Sequence, residues 1–315
     1  MSRSEGLVLA LSGGIGGAKL ALGLNRILPA GALTIVANTG DDFEHLGLAI
    51  SPDIDTLLYT LAGLDNPELG WGRRDETWTF MKALESLGGE TWFNLGDGDL
   101  ATHVERTRRL AAGESLSQIT DDFRRRLGIS ARLLPMTDDR VRTRLMTAAG
   151  WLDFQHYFVR QRCAPVIREI AFAGAAEARP QPEFLAALSD QNLRAVVICP
   201  SNPFISVDPI LGLPGVRDAL RSCGAPVVAV SPIIGGKAVK GPTAKMMAEL
   251  ALPVDAGAVA RHYGDIIDFY VVDQTDADAL CDLGLPVAFT RTLMLSLEDR
   301  EALARAVLEA AARGF

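Results

Sequence analysis

Leu7-Val8-Leu9-Ala10-Leu11-Ser12-Gly13-Gly14-Ile15-Gly16-Gly17-Ala18-Lys19 runs from an apolar stretch through a glycine-dense loop into a helical pattern that begins at Leu20. This order predicts a strand, a tight turn and a helix, the opening unit of a parallel α/β sheet. Gly13, Gly14, Gly16 and Gly17 let the backbone turn sharply and approach a ligand closely, and the helix that follows presents unpaired N–H groups and a positive dipole end. The loop therefore reads as an anion site, with Lys19 adding a full charge. It fits neither common nucleotide fingerprint. The Walker pattern requires Gly-Lys-Ser/Thr, whereas Ala18 separates Gly17 from Lys19 and Leu20 follows; the glycines also lack the G-x-G-x-x-G spacing of an NAD-dependent dehydrogenase.

Outward from the loop, the helix extends to about Ile27 and stops before Pro29, and Leu33 to Ala37 supply a second strand. That strand runs into Asn38-Thr39-Gly40-Asp41-Asp42, so two polar loops face one crevice at the carboxyl ends of neighbouring strands. Ser51-Pro52-Asp53-Ile54-Asp55-Thr56 then starts a helix, with Ser at the cap, Pro in the first turn and early acidic residues. Between 65 and 128 the pattern is mainly helical, with Trp78, Phe80, Met81, Leu84 and Leu87 at helical spacing and a second stretch over Ala101 to Ala112. Arg132 to Met136, Val141 to Thr147 and Phe154 to Arg162 read as strands of a small antiparallel ribbon. Parallel strands resume at Ala195 to Cys199, Val227 to Val230 and Phe269 to Val272, and Leu297 to Ala312 form a closing helix. The expected architecture is α/β: a Rossmann-like three-layer core with a mainly parallel sheet, residues 1–64 and 129–315, carrying the ribbon and interrupted by a helical insertion, residues 65–128.

Composition fits an ordinary globular enzyme, with 48% hydrophobic and 22% charged residues. A net charge of −8 excludes a general nucleic-acid binder, which needs a broad basic surface, while a phosphorylated small molecule needs only a basic pocket. Cys163, Cys199, Cys223 and Cys281 lack metal-ligand spacing and read as reduced core thiols. With no leader or membrane-length apolar run, no membrane partner and a cytoplasmic location are expected.

Several carboxylate pairs stand beside Gly or Pro loops: Asp41-Asp42, Asp53 and Asp55, Asp97 and Asp99, and Asp138-Asp139. Such pairs can hold a divalent metal for phosphate chemistry, although Asp in turns also bonds its own backbone. His103 is a candidate for substrate binding or acid/base work; His45 follows a glycine-rich acidic loop, and His156 and His262 read as structural. Pro200-Ser201-Asn202-Pro203 reads as a binding loop, while Cys199 lacks a base to make it a nucleophile. Ser231 to Lys237 and Lys240 to Lys245 suggest a second anion cradle, with Lys237 as its cation.

Seven segments in order, Ser12 to Lys19, Asn38 to Asp42, Ser51 to Thr56, Leu95 to His103, Leu134 to Asp139, Pro200 to Pro203 and Ser231 to Gly235, resemble the 2-phospho-L-lactate transferase family of coenzyme F420 biosynthesis. The resemblance spans most of the chain. It implies transfer of a phospho-three-carbon-acid unit (2-phospho-L-lactate, phosphoenolpyruvate or 3-phosphoglycerate) from a guanosine diphosphate-activated donor to the ribityl hydroxyl of the deazaflavin Fo. The products are then F420-0 or its dehydro form and GMP. It further implies Mg2+ dependence and a homodimer. On that reading Asp42 and Asp55 are catalytic, and Asp42, Asp53 and Asp55 bind the metal. Gly13, Gly14, Gly16, Gly17, Lys19, Asn38, Thr39, Asp53, Asp97, His103, Ser201, Asn202 and Lys237 contact substrate. Gly98 departs from the family pattern, in which some members carry a basic residue there. The competing expectation is a glycine-loop protein that binds or senses a nucleotide or nucleotide sugar, told apart by its indifference to Fo.

Overall fold

A computed structural model describes residues 6–67, 71–238, 241–280 and 283–313. Its strands in chain order are β1 (Leu7–Ser12), β2 (Leu33–Ala37), β3 (Phe43–His45), β4 (Leu48–Ile50), β5 (Arg132–Pro135), β6 (Arg142–Thr147), β7 (Gly150–Asp153), β8 (Ile167–Ala173), β9 (Leu193–Ile198), β10 (Val227–Val230), β11 (Ile233–Ile234), β12 (Lys237–Ala238), β13 (Phe269–Asp273) and β14 (Val287–Thr290). Seven of them form one parallel sheet in the order β14-β13-β10-β9-β1-β2-β5. The apolar runs of β1 and β9 follow from that placement. Leu9, Leu11, Val196 and Ile198 enter the core on one face of the sheet, and Val8, Ala10, Ala195 and Val197 enter the core on the other.

Helices cover both faces and complete the three layers. They are α1 (Gly14–Ile27), α2 (Pro52–Leu61), α3 (Thr79–Ser86), α4 (Asp97–Ala111), α5 (Leu116–Arg126), α6 (Pro182–Leu188), α7 (Asp208–Leu211), α8 (Val216–Ser222), α9 (Thr243–Glu249), α10 (Ala256–Tyr263) and α11 (Leu297–Arg313). Residues from α1, α2 and α11 share one core, while residues from α6, α8, α9 and α10 share the other. Leu116, Phe123 and Leu127 of the α5 region pack against the α1 side, so α5 covers the β5 edge of the sheet. Among the described residues no helix is long and apolar enough to cross a membrane.

The ribbon differs from its expected composition. Arg132 to Pro135 pairs in parallel with β2 in the main sheet, as its unalternating Leu133-Leu134 allows. The ribbon is β7-β6-β8, with β6 pairing antiparallel to β7 and to Ile167–Ala173. Phe154 to Arg162 is not a strand: Phe154, Tyr157 and Phe158 recur at helical spacing, and His156–Arg160 forms a π-turn. That wide turn buries Gln155, whose Nε2 donates to the Asp41 carbonyl at 3.3 Å.

Candidate active site

β1 lies between β2 and β9, and the chain builds outward from it in both directions. The carboxyl ends of β1 and β9 therefore flank the topological switch point, where open parallel sheets bind ligands. A cavity of about 700 Å³ lies there, lined by Gly13, Gly14, Gly16 and Lys19 after β1, by Asp41 after β2, by Ser201 and Asn202 after β9, and by Thr292 to Leu295 after β14. The loops are locked together. Ser201 Oγ donates to the Gly13 carbonyl at 2.7 Å and accepts the Gly13 amide at 3.2 Å. A Cβ at Gly16 would strike the Pro200 carbonyl, so only glycine lets the two loops meet. Gly14 has φ +63°, a left-handed conformation that glycine adopts without strain.

The head of α1 meets a carboxylate of its own chain. Gly14 donates to Asp53 Oδ1 at 2.6 Å, and Asn38 Nδ2 donates to Asp53 Oδ2 at 2.9 Å. Asn38 also receives the Gly40 amide at 2.8 Å, which fixes the loop carrying Asp41 and Asp42. Lys19 reaches across to donate to the Met294 carbonyl at 3.0 Å. Gly17, Asn38 and Thr39 support this arrangement from behind and are not part of the cavity wall.

Asp41, Asp42 and Asp53 are all buried, and the hydrogen bonds recorded for them come from neutral groups such as Ser51 Oγ, 2.8 Å from Asp42 Oδ2. Burial raises the Asp42 carboxyl to about 7 and the Asp53 carboxyl to about 6. It also raises Asp41 well above the ordinary range, with the Asp53 charge adding to the effect. Among the described residues, Asp41 Oδ1 and Asp42 Oδ1 are buried without a hydrogen-bond partner. Hard carboxylate oxygens gathered in this state suit a magnesium-type cation, and Asp41 and Asp53 are the pair that line the cavity.

Asp55 belongs to a separate cluster. Arg106 grips it in a fork, Nη1 at 3.0 Å from Oδ2 and Nη2 in short contact with Oδ1. His103 Nδ1 lies 3.3 Å from Arg106 Nη1, and its Nε2 lies 3.2 Å from Asp99 Oδ2 without the alignment of a full hydrogen bond. Tyr59 OH sits 2.5 Å from Asp99 Oδ1 and 3.0 Å from Thr102 Oγ1. Asp55, Asp99 and His103 bring ligand atoms within 4.8 Å of one another, but the Arg106 charge among them disfavours a cation there.

Aromatic side chains also line the cavity, Trp71, Trp92, Phe93, Phe154 and Phe158, a surface suited to a flat conjugated ring. His45 and His156 pack on Trp92 with ring centroids 4.9 and 4.8 Å away, so both serve this aromatic cluster.

A family model described as 2-phospho-L-lactate transferase CofD matches residues 8–282. The chain belongs to that family. It is thereby a transferase enzyme of coenzyme F420 biosynthesis. It is 40% identical over 309 residues to the phosphoenolpyruvate transferase of Streptomyces coelicolor, covering 96% of each chain. It is 42% identical over 304 residues to that of Kitasatospora aureofaciens, covering 94% of each, and 39% identical over 311 residues to that of Mycobacterium tuberculosis, covering 90% of this chain and 93% of the relative. A crystal structure of a UPF0052 family protein from Bacillus halodurans shares the fold, with TM-score 0.64 at 14% identity over 98% of this chain and 99% of that one.

In this CofD-family chain some residues expected at the site lie elsewhere. Asp97 does not line the cavity: it accepts the Thr79 and Phe80 amides at 3.1 and 3.0 Å and so caps α3. Glu76 in turn accepts the Gly98 and Asp99 amides at 2.7 and 2.8 Å, capping α4 and aiming Asp99 at the cavity. Arg73 donates to the Gly98 carbonyl at 3.2 Å, so a cation does stand beside Gly98. Asp42 sits behind the wall that Asp41 lines. The second cradle is filled from within, because Asp276 accepts the Gly235 and Gly236 amides at 2.8 Å each; Lys237 is exposed and away from the cavity, and Lys240 lies outside the described residues. Asp138 and Asp139 bind Ser117 and Arg179. Cys199 is buried with its thiol pushed up to about 12, which disfavours a thiolate, and Cys281 lies outside the described residues.

Arg106, buried between Asp55 and His103, was not singled out from the sequence. Its signal was the spacing of Asp99, His103 and Arg106, four and three residues apart on one face of α4.

Proposed function

We propose that the protein transfers a phosphoenolpyruvyl unit from its guanosine diphosphate-activated form to the terminal ribityl hydroxyl of the deazaflavin Fo, releasing GMP and dehydro-F420-0. One observation carries the reading: a single cavity joins the glycine-bounded head of α1, a set of buried carboxylates and an aromatic compartment. The relatives at 39–42% identity, each called a phosphoenolpyruvate transferase, support the choice of acid.

The acceptor hydroxyl oxygen forms a bond to the distal phosphorus as the bond from that phosphorus to the bridging oxygen breaks, and GMP leaves with the bridging oxygen. The hydroxyl proton passes to a cavity carboxylate. With the Gly13 and Gly14 amides taken by Ser201 and Asp53, the Ile15 and Gly16 amides in the first turn of α1 and Lys19 hold the diphosphate, and Ser201 and Asn202 close that side. Asp55, held in one orientation by Arg106, accepts the hydrogen bond that aims the hydroxyl. The flat ring of Fo packs among Trp92, Phe93, Phe154 and Phe158.

Asp41 and Asp53 are the residues that fit Mg2+, with Asp42 beside them; the ion, when bound, neutralises charge on the transferring phosphoryl group. The family resemblance supports a homodimer acting in the cytoplasm.

The test supplies Fo and Mg2+ with each of three guanylylated donors, carrying phosphoenolpyruvate, 2-phospho-L-lactate or 3-phosphoglycerate, and identifies products by mass. The enolpyruvyl donor is expected to give dehydro-F420-0 fastest. Preference for another donor overturns the choice of acid. Nucleotide binding with no effect of Fo and no product overturns the transfer itself.

A further inference from the structure

Arg106 is 1% exposed, one of the largest fully buried side chains in the protein, and is absent from the cavity wall. Its guanidinium bridges the carboxylate of Asp55 on α2, the ring of His103 on its own helix, and the Ala49 carbonyl at 3.4 Å. Asp55 and His103 do line the cavity. Arg106 Nη1 has two hydrogens for three neighbouring acceptors, Asp55 Oδ2 at 3.0 Å, the Ala49 carbonyl and His103 Nδ1; where one of them goes to His103, Nδ1 accepts it and carries no proton. The neutral ring then bears its proton on Nε2, toward Asp99.

From this geometry we propose that Arg106 is a positioning residue for the transfer reaction. It holds the Asp55 carboxylate in one orientation and locks His103 in the Nε2–H tautomer, so that Asp55, His103 and Asp99 present a fixed pattern to the acceptor hydroxyl. His103 is then an Nε2–H donor in the wall and not the general base. The effect on turnover rests on the transfer reading above; the tautomer does not.

Two measurements test this in the full chain. With ring-nitrogen labelling, the NMR signals of His103, assigned by loss in His103→Gln, are expected to show an unprotonated Nδ1 and a protonated Nε2. Arg106→Lys, which keeps the charge but loses the fork, is expected to lose this single tautomer and to lower kcat by about 10- to 100-fold. KM for the donor stays within about threefold, and the melting temperature stays near that of the parent. If Arg106→Lys does not fold, Arg106→Met with Asp55→Asn removes both charges together and restores a foldable core in which the ring readout applies. A parent ring protonated on Nδ1, or an Arg106→Lys enzyme with parental kcat per folded molecule, overturns the proposal. Absence of transfer in the parent overturns the proposed function and leaves the ring readout to decide the tautomer.

Discussion

Asp53 Oδ1 accepts the Gly14 amide at 2.6 Å, so the positive head of α1 is joined directly to the buried carboxylate set. On the proposed reading, phosphate and a divalent cation would sit side by side here, since the same helix end that attracts phosphate keeps Asp53 in place. Asp53→Asn retains an acceptor for Gly14, removes the charge and sets an amide nitrogen against Asn38 Nδ2. Turnover is expected to fall by about 100-fold or more, in the range for losing one electrostatic partner of a transition state. Stability is expected to fall by about 1–3 kcal/mol, because the new amide nitrogen faces the Asn38 donor and leaves it unsatisfied. Initial rates across a Mg2+ series, with melting curves on the same samples, check both; rates equal to the parent's would remove Asp53 from the chemistry.

Two glycines of the loop separate backbone strain from steric contact. Around Gly14 an added Cβ meets nothing within 4 Å, so Gly14→Ala pays only for its left-handed φ, about 1–2 kcal/mol. Gly16→Ala drives its methyl into the Pro200 carbonyl and must move the Ser201 loop, an overpacking cost of about 1–3 kcal/mol. Urea unfolding is expected to show both losses. Turnover should fall more for Gly16→Ala, because Ser201 is displaced with Pro200; equal kinetics for the two variants would contradict the seating of that loop.

Asp97 and Asp99 are two residues apart and do different work. Asp97→Ala is expected to lower the melting temperature, since three hydrogen bonds at the start of α3 are lost, and to leave kcat unchanged. Asp99→Asn keeps the shape of the wall but removes the carboxylate that accepts from Tyr59 OH and lies 3.2 Å from His103 Nε2, and kcat is expected to drop. The comparison fails if Asp97→Ala is the variant that loses turnover.

The parallel core was legible in the sequence because buried strands are continuous apolar runs, and Val8 to Leu11 or Ala195 to Ile198 admit no other placement. Phe154 to Arg162 misled because Phe154, Tyr157 and Phe158 satisfy a helix while the aromatic content resembles a strand. Of the residues that local chemistry suggested for a site, Gly13, Gly14, Lys19, Asp53 and Ser201 line the cavity. It could not show that Asp276 fills the amides of Gly235 and Gly236, a contact across 40 residues that turns an apparent anion cradle into an internal cap. It likewise could not choose between Asp97 and Asp99, which Glu76, from outside α4, settles by capping that helix.

The buried carboxylates also set how stability responds to pH and metal. In the unfolded chain Asp42 ionises at 3.8, whereas in the folded protein it does so at about 7; Asp53 follows at about 6. Between the two values the folded form holds a proton that the unfolded form has released, so these groups make the metal-free protein less stable as pH rises from about 4 to about 7, and the loss is complete above that. A divalent cation binds only the ionised carboxylates and competes with those protons. Added Mg2+ is therefore expected to raise the melting temperature strongly at pH 8 and little at pH 5, compared with NaCl at equal ionic strength. Asp53→Asn should flatten the difference. Equal Mg2+ shifts at both pH values would place the ion away from these carboxylates.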